Sequence, residues 1–218
     1  MDRDGFLARV GQAARRAPLP PSPEPFSALP GPGSDDLVGL FRERAMAVDA
    51  MVHGPVDPSG VPNVVAGIVS GHGCETFVAW DDLPVPGVTA SLSTGGCQRV
   101  SHDISAEERL EQQQAYRRLD CGVTGADAGL AESGSVVLVH GPGRPRMASL
   151  IPEIHVALLP TSVVHRSLAH WAHRTPGAPA STANLVVITG PSRTGDIELQ
   201  LNLGVHGPRI VHVVLMQR

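Results

Sequence analysis

Aromatic residues make up only 3% of the chain, so a core built on stacked rings and an aromatic platform for nucleic-acid bases are both excluded. The apolar filling must come from Val, Leu, Ile and Ala, the usual material of a buried α/β sheet. Basic runs are equally scarce. None exceeds Arg15-Arg16, and the formal net charge is −4, so the electrostatic footprint of a phosphate-backbone binder is missing and no nucleic-acid partner is expected. No apolar run approaches the ~18 residues of a membrane span, and "MDRDGFLARVGQAARRA" lacks the apolar centre of a signal peptide. A cytoplasmic protein is expected. The three cysteines, Cys74, Cys97 and Cys121, stand far apart with no Cys-x-x-Cys, which predicts reduced thiols and neither a zinc nor an iron–sulfur ligand set written from them alone.

What is present is helical and strand periodicity in alternation. Phe6, Leu7, Val10, Ala13 and Ala14 have the spacing of a short amphipathic helix. The following "APLPPSPEPFSALPGPGS" has too many prolines for either regular element. Residues 1–33 therefore read as a helical arm with a Pro-rich linker, and residues 34–218 as one α/β domain. Within the domain, Ser34 is placed to cap a helix carrying Leu37, Leu40, Phe41, Val48, Met51 and Val52 on one face. "NVVAGIVS" and "TFVAW" read as strands, Val88–Ser93 as a weak helix, and "QRVSH" as a further strand. Ser105 and Glu108 form a capping box for a helix reaching about Arg118. Thr161–His173 supplies another helix. "VVLVH", "IHVALL", "LVVITG" and "IVHVVLM" are short continuous apolar runs, the pattern of strands buried on both faces of a mostly parallel sheet.

Ligands of an open parallel sheet settle outside the carboxyl ends of its strands, so four segments draw attention. In "ITGPSRTGDIELQLNLGVHGP", Ser192, Arg193 and Thr194 are expected to precede a short helical segment through Leu201, with Gly204 as a left-handed cap. Gly190, Ser192, Arg193 and Thr194 would then form an anion cradle from amides, hydroxyls and a guanidinium. Its alternative is a simple cap with Arg193 paired to Asp196; Glu198 is the second carboxylate of the stretch. In Gly122–Gly141, Thr124 and Asp127 are ligand candidates, Ala126–Leu130 suits an extended arm, and Ser133-Gly134 suits a turn. Glu132 at that turn is a candidate general base or nucleophile, or else a solvated glutamate. His155, leading "IHVALL", is a candidate acid–base group or a structural histidine. His206 enters a Gly-Pro turn before the last strand. Neither His206 nor His212 has a carboxylate or cysteine at metal-ligand spacing, so no metal site is assigned.

The blocks "GVTGADAGLAESGSVVL", "IPEIHVALLP" and "ITGPSRTGDIELQLNLGVHGPRIVHVVL" together resemble the lactate-utilization family, the LutC/YkgG or LUD-domain proteins, over roughly Cys121–Met216. Gly195 stands where that family more usually carries alanine, and Ser133 where threonine is common. The resemblance implies a NagB/RpiA/CoA-transferase-like fold. It also implies a part in converting L-lactate to pyruvate with two partner proteins, the iron–sulfur clusters belonging to those partner subunits and no cofactor to this chain. A small carboxylate or other anionic ligand would be held by Arg193 with Ser192 and Thr194, and a proton handled by Glu132 or His155. Two other readings stay open: a self-sufficient CoA-transferase- or isomerase-like enzyme with Glu132 as nucleophile by fold analogy, and a non-catalytic scaffold whose Pro-rich arm embraces a partner or a second copy.

Overall fold

The computed structural model describes residues 2–16, 36–102, 114–178, 182, 184–195 and 201–217. The linker, Ser34 and the Ser105–Glu108 capping box lie outside the described residues.

Helix α1, Arg3–Arg16, forms where the spacing places it, with Phe6, Leu7 and Val10 exposed. Helix α2, Leu37–Ala47, is capped by Asp36, whose carboxylate accepts from the Gly39 amide at 2.8 Å. It is shorter than the apolar pattern suggests. Val48 ends it, Asp49 turns the backbone to φ +63°, and Met51 and Val52 belong instead to a strand, β1, Met51–Val56. The second departure is "NVVAGIVS", which is helical: α3 spans Val61–Gly71 and buries Val61, Val65, Ile68 and Val69. That spacing is three and four residues. Richness in β-branched residues argues for a strand, but periodicity and Pro62 in the first turn decide the matter.

Strand β2, Thr76–Ala79, leads to α4, Val88–Thr94, and to β3, which is only Gln98–Arg99 of "QRVSH". Strand β4 is Cys121–Gly125; β5, Ala128–Leu130, and β6, Ser135–Val139, form the expected arm and return. After β7, Ile154–Pro160, the expected helix over 161–173 is broken into a 3-10 turn, strand β8, Val164–His165, and helix α5, Leu168–Arg174. The chain closes with β9, Leu185–Ile188, a hairpin of β10, Arg193–Gly195, and β11, Leu201–Leu203, and finally β12, Ile210–Met216.

Six strands make a wholly parallel sheet in the order β1-β12-β7-β4-β2-β3. The run pattern of β7 and β12 is explained by burial on both faces. Leu158 and Val214 point into the layer of α3 and α4, while Leu159 and Leu215 point toward α2 and a second sheet. That second sheet, β8-β5-β6-β9, corrects the expectation for "VVLVH" and "LVVITG": both runs lie outside the parallel sheet and pair antiparallel with each other. A continuous apolar run records burial on two sides without saying which sheet provides it. Helix α5 covers the far side of this sheet through Trp171, against Ala128, Leu130 and Val137.

The amino ends of β2 and β4 are tied by Asp120. One carboxylate oxygen accepts from the amides of Glu75 and Thr76 and from the Thr76 hydroxyl, each at 2.9 Å. Replacing Asp120 by alanine strands these donors, and denaturant unfolding is expected to show a loss of about 2 kcal/mol with an unchanged m-value.

Candidate functional site

The connection leaving β2 runs to β3 at one edge, whereas the chain leaving β4 runs back through β7 and β12 toward β1. The strand order therefore reverses between β2 and β4. In such sheets ligands settle beyond the carboxyl ends of the strands at this reversal, and there a cavity opens in the loop that leaves β2.

Trp80 closes β2, its amide donating to Val123 O at 3.1 Å and its indole N–H to Pro145 O at 3.2 Å. Directly beyond lies a cavity of about 240 Å³, lined by Trp80, Asp81, Leu83, Val85, Gly87 and Val88 among others. Asp81 is gripped on one oxygen by Arg99, at 2.8 Å, and by His102 Nε2, at 3.1 Å. The His102 hydrogen bond, followed by that of Arg99, holds the Asp81 carboxyl below the usual carboxylate range. Next to Trp80, Arg144 donates from Nε to both oxygens of Asp82, at 2.9 and 2.7 Å, and from one terminal nitrogen to Asp127 at 2.9 Å. Its guanidinium sits 5.0 Å from the Trp80 ring centre, within cation–π range. The Asp82 hydrogen bond, with Asp127 in support, keeps Arg144 protonated beyond its ordinary range.

His140 stands edge-on to Trp80, with ring centres 5.6 Å apart. It is only 8% exposed, and neither ring nitrogen has a hydrogen-bond partner among the described residues. Burial, helped by Arg146, lowers its pKa and leaves it neutral at physiological pH. A neutral imidazole offers one N–H and one lone pair, the complement of a hydroxyl or carbonyl.

The sequence candidates divide between two ends of the molecule. Asp127 belongs to the crevice: besides Arg144 it accepts from the Val139 amide at 2.7 Å. Thr124 and His155 lie within the sheet, fully buried, with Thr124 Oγ1 and His155 Nε2 2.9 Å apart. Burial, with a smaller contribution from His212, lowers the His155 pKa to about 4.

The other candidates gather near the end of α2. Glu132 is exposed in the β5–β6 turn, its amide donating to Arg166 O at 3.0 Å. Beside that turn, the Ser135 hydroxyl contacts both Ser133 and Thr189. Gly190 has φ +71°, and a Cβ there would lie 2.1 Å from Val48 O, so the loop can pass α2 only with glycine. Where the sequence predicts a helical segment through Leu201, its two ends, Gly195 and Leu201, pair as strands of a hairpin, and residues 196–200 lie outside the described residues. The Ser192 amide donates to Pro208 O, Ser192 O accepts from the Gly204 amide, and Thr194 pairs with Asn202. Arg193 pairs with Asp49, an exposed partner from the turn after α2. Because Pro208 and Arg209 lead into β12, and Arg209 bonds Glu153 just before β7, this loop lies at the amino ends of those strands, opposite the crevice. Gly204 is left-handed, as expected, but within the β11–β12 connection rather than after a helix, and His206 is exposed there. Asp196 and Glu198 lie outside the described residues.

Sequence reasoning missed Asp81, Asp82, Arg99, His102, His140 and Arg144. The available signal was "WDDLPVP", two adjacent carboxylates directly after a strand and before prolines. It also left His53, His72 and His212 as unrelated. The structure joins them: His212 Nδ1 lies 2.9 Å from His53 Nε2, and its Nε2 lies 3.0 Å from His72 Nε2. Burial, followed by the two neighbouring imidazoles, lowers the His212 pKa to about 4. The two nitrogens of one ring point in opposite directions, so the three imidazoles form a chain and do not converge as metal ligands. Among the described residues no cluster of His, Cys, Asp or Glu is arranged to hold a metal ion. Nor is any described helix long and apolar enough to cross a membrane.

A parallel sheet layered between helices on one face and a helix with a second sheet on the other defines a mixed α/β protein, consistent with the expected NagB/RpiA/CoA-transferase-like fold. The solved structure of a DUF162 family protein from Deinococcus radiodurans has this fold, with a TM-score of 0.62 at 20% identity, covering 85% of this chain and 99% of that one. The model of the LUD domain matches residues 43–216, and the chain belongs to that family. Among its relatives, lactate utilization protein C of Exiguobacterium sp. (strain ATCC BAA-1283 / AT1b) is 40% identical over 99% of this chain and 96% of its own length. The protein of the same name from Shouchella clausii (strain KSM-K16) is 28% identical over 95% of this chain and 94% of its own.

Proposed function

We propose that this chain is a subunit of an L-lactate utilization system that acts with iron–sulfur partner proteins and binds a small 2-hydroxy or 2-oxo carboxylate in the crevice between β2 and β4. The carrying observation is the relationship to lactate utilization protein C across nearly the whole length of both chains. The cavity beyond β2 supports the location, being small and walled mostly by apolar residues with the Asp81 carboxylate among them. Oxidising lactate to pyruvate removes two electrons and two protons; the clusters of the partner subunits would take the electrons. In this chain Arg99 would exchange Asp81 for the ligand carboxylate, since a half-exposed ion pair is worth less than ~1 kcal/mol and yields readily. His140 would meet the hydroxyl or carbonyl with its unclaimed ring nitrogens.

A second location is favoured by one observation. Arg193 is paired with a carboxylate, Asp49, that is itself 70% exposed, with Ser192 and Thr194 alongside. A ligand carboxylate would replace Asp49 there, with Glu132 nearby in the chain's fold as the proton-handling group.

Isothermal titration with L-lactate and with pyruvate separates the two. Arg99→Gln is expected to weaken binding tenfold or more, about 1.4 kcal/mol, and Arg193→Gln to leave it unchanged. The opposite pattern moves the ligand to the α2 end. No heat with either acid, together with no capture of iron–sulfur proteins by the tagged full chain, sinks the function itself.

A further inference from the structure

Cys74, Cys97 and Cys121 are far apart in sequence, yet three adjacent strands bring them to one place. Cys74 precedes β2, Cys97 precedes β3 and Cys121 opens β4, and these strands lie side by side in the order β3-β2-β4. The registers fix the match. Cys121 is level with Phe77, and Gln98, which follows Cys97, is level with Thr76. Cys97 and Cys121 are members of one buried cluster, and Cys74 packs against it from a half-buried position. The Asp120 carboxylate, bonded to the amides of Glu75 and Thr76, holds the residues next to Cys74 and Cys121 together. Cys74 and Cys121 thus meet at the amino ends of neighbouring strands, packed on the same cluster.

We propose that Cys74 and Cys121 form a redox-active pair, a modification site at which a peroxide converts the two thiols to a disulfide joining the amino ends of β2 and β4. Cys74 is the attacking sulfur, because it alone of the three is not buried. The neighbouring Cys121 thiol lowers the Cys74 pKa, whereas Cys97 is pushed up to about 11 by burial and Cys121 well above its ordinary value. In the first step the Cys74 sulfur attacks one peroxide oxygen and the O–O bond breaks. The departing hydroxide takes the thiol proton and leaves as water, which gives a sulfenic acid. In the second, the Cys121 sulfur attacks the Cys74 sulfur, forming S–S and breaking S–O. The released hydroxide leaves with the Cys121 proton as a second water. Two thiols thus supply the two electrons that reduce the peroxide.

The test uses the full chain, hydrogen peroxide, a thiol count, and peptide mapping after cleavage at Glu75, which separates Cys74 from Cys97. Free thiols are expected to fall from three to one, with a Cys74–Cys121 cross-linked peptide that dithiothreitol releases. Cys97→Ser keeps the cross-link, and Cys74→Ser, at the half-buried position, keeps both remaining thiols through the same treatment. Three surviving thiols, a Cys74–Cys97 cross-link, or Cys74 carried to the sulfinic acid while Cys121 stays reduced would each overturn the proposal. None of these outcomes depends on where the carboxylate binds.

Discussion

Denaturant unfolding followed from about pH 7 down to pH 4 is expected to show a steep loss of stability that His155→Gln reduces by roughly half, His212 supplying the rest. In the folded chain burial holds the His155 pKa near 4, against an ordinary value of 6.5. Between those two values the unfolded chain binds a proton that the folded chain refuses, so stability falls as pH falls. The contribution is complete above the ordinary pKa and is lost as pH drops toward the folded one. For a fully buried imidazole this is about 3 kcal/mol, a large share of the ~5–15 kcal/mol by which domains are stable. His212 acts in the same direction. Protonated, it would have two donors facing His53 and His72, whose nitrogens must then both accept. Glutamine at position 155 can still bond the Thr124 hydroxyl but cannot titrate. A variant as acid-labile as the parent would place the effect elsewhere, with the paired carboxylates such as Asp81 as the next suspects.

The second large effect concerns a single methyl group. A Cβ added at Gly122, in the middle of the sheet, would lie 1.7 Å from the carbonyl oxygen of Ala148 and 3.1 Å from Pro152. Both belong to the segment that crosses β4 before β7, and the contact with Ala148 is to backbone, so no side-chain rotation relieves it. Gly122→Ala is expected to cost roughly 3 kcal/mol, the upper end for overpacking, and to lower Tm by about 10 °C. Gly67→Ala is the control. That glycine lies on the exposed face of α3 with nothing within 4 Å of the added atom, so alanine there should raise stability by ~0.5–1 kcal/mol. Equal melting points for the two variants would refute the packing argument.

The parts of the fold legible from sequence were those in which one local signal dominated. "IHVALL" and "IVHVVLM" are strands because each has apolar residues for two buried faces, and Gly134 forms the expected turn with φ +65°. Where two local signals competed, the reading failed. "NVVAGIVS" carries strand composition on helical spacing, and Met51 and Val52 continue the helical period of α2 into β1. The candidate site divided in the same way. Asp127 reads from sequence only as a candidate at the start of an extended arm; in the structure it follows β4 and bonds Arg144 beside Trp80. The Gly190–Thr194 loop also follows a strand, but that strand belongs to the second sheet, so the loop emerges at the opposite end of the molecule.

The chain's sequence by itself determined its family, its α/β class and the identity of strands β7 and β12, because these depend on residue order and on periodicity along one segment. Only the tertiary structure decided which residues share a site. The pairings of Asp81 with Arg99, of Arg144 with Asp82 and Asp127, of His212 with two other histidines, and of Asp120 with the amides of Glu75 and Thr76 join segments whose separation in sequence carries no information about distance. Strand order sets those distances. It follows from how whole layers bury their faces against one another, a property that no single segment contains.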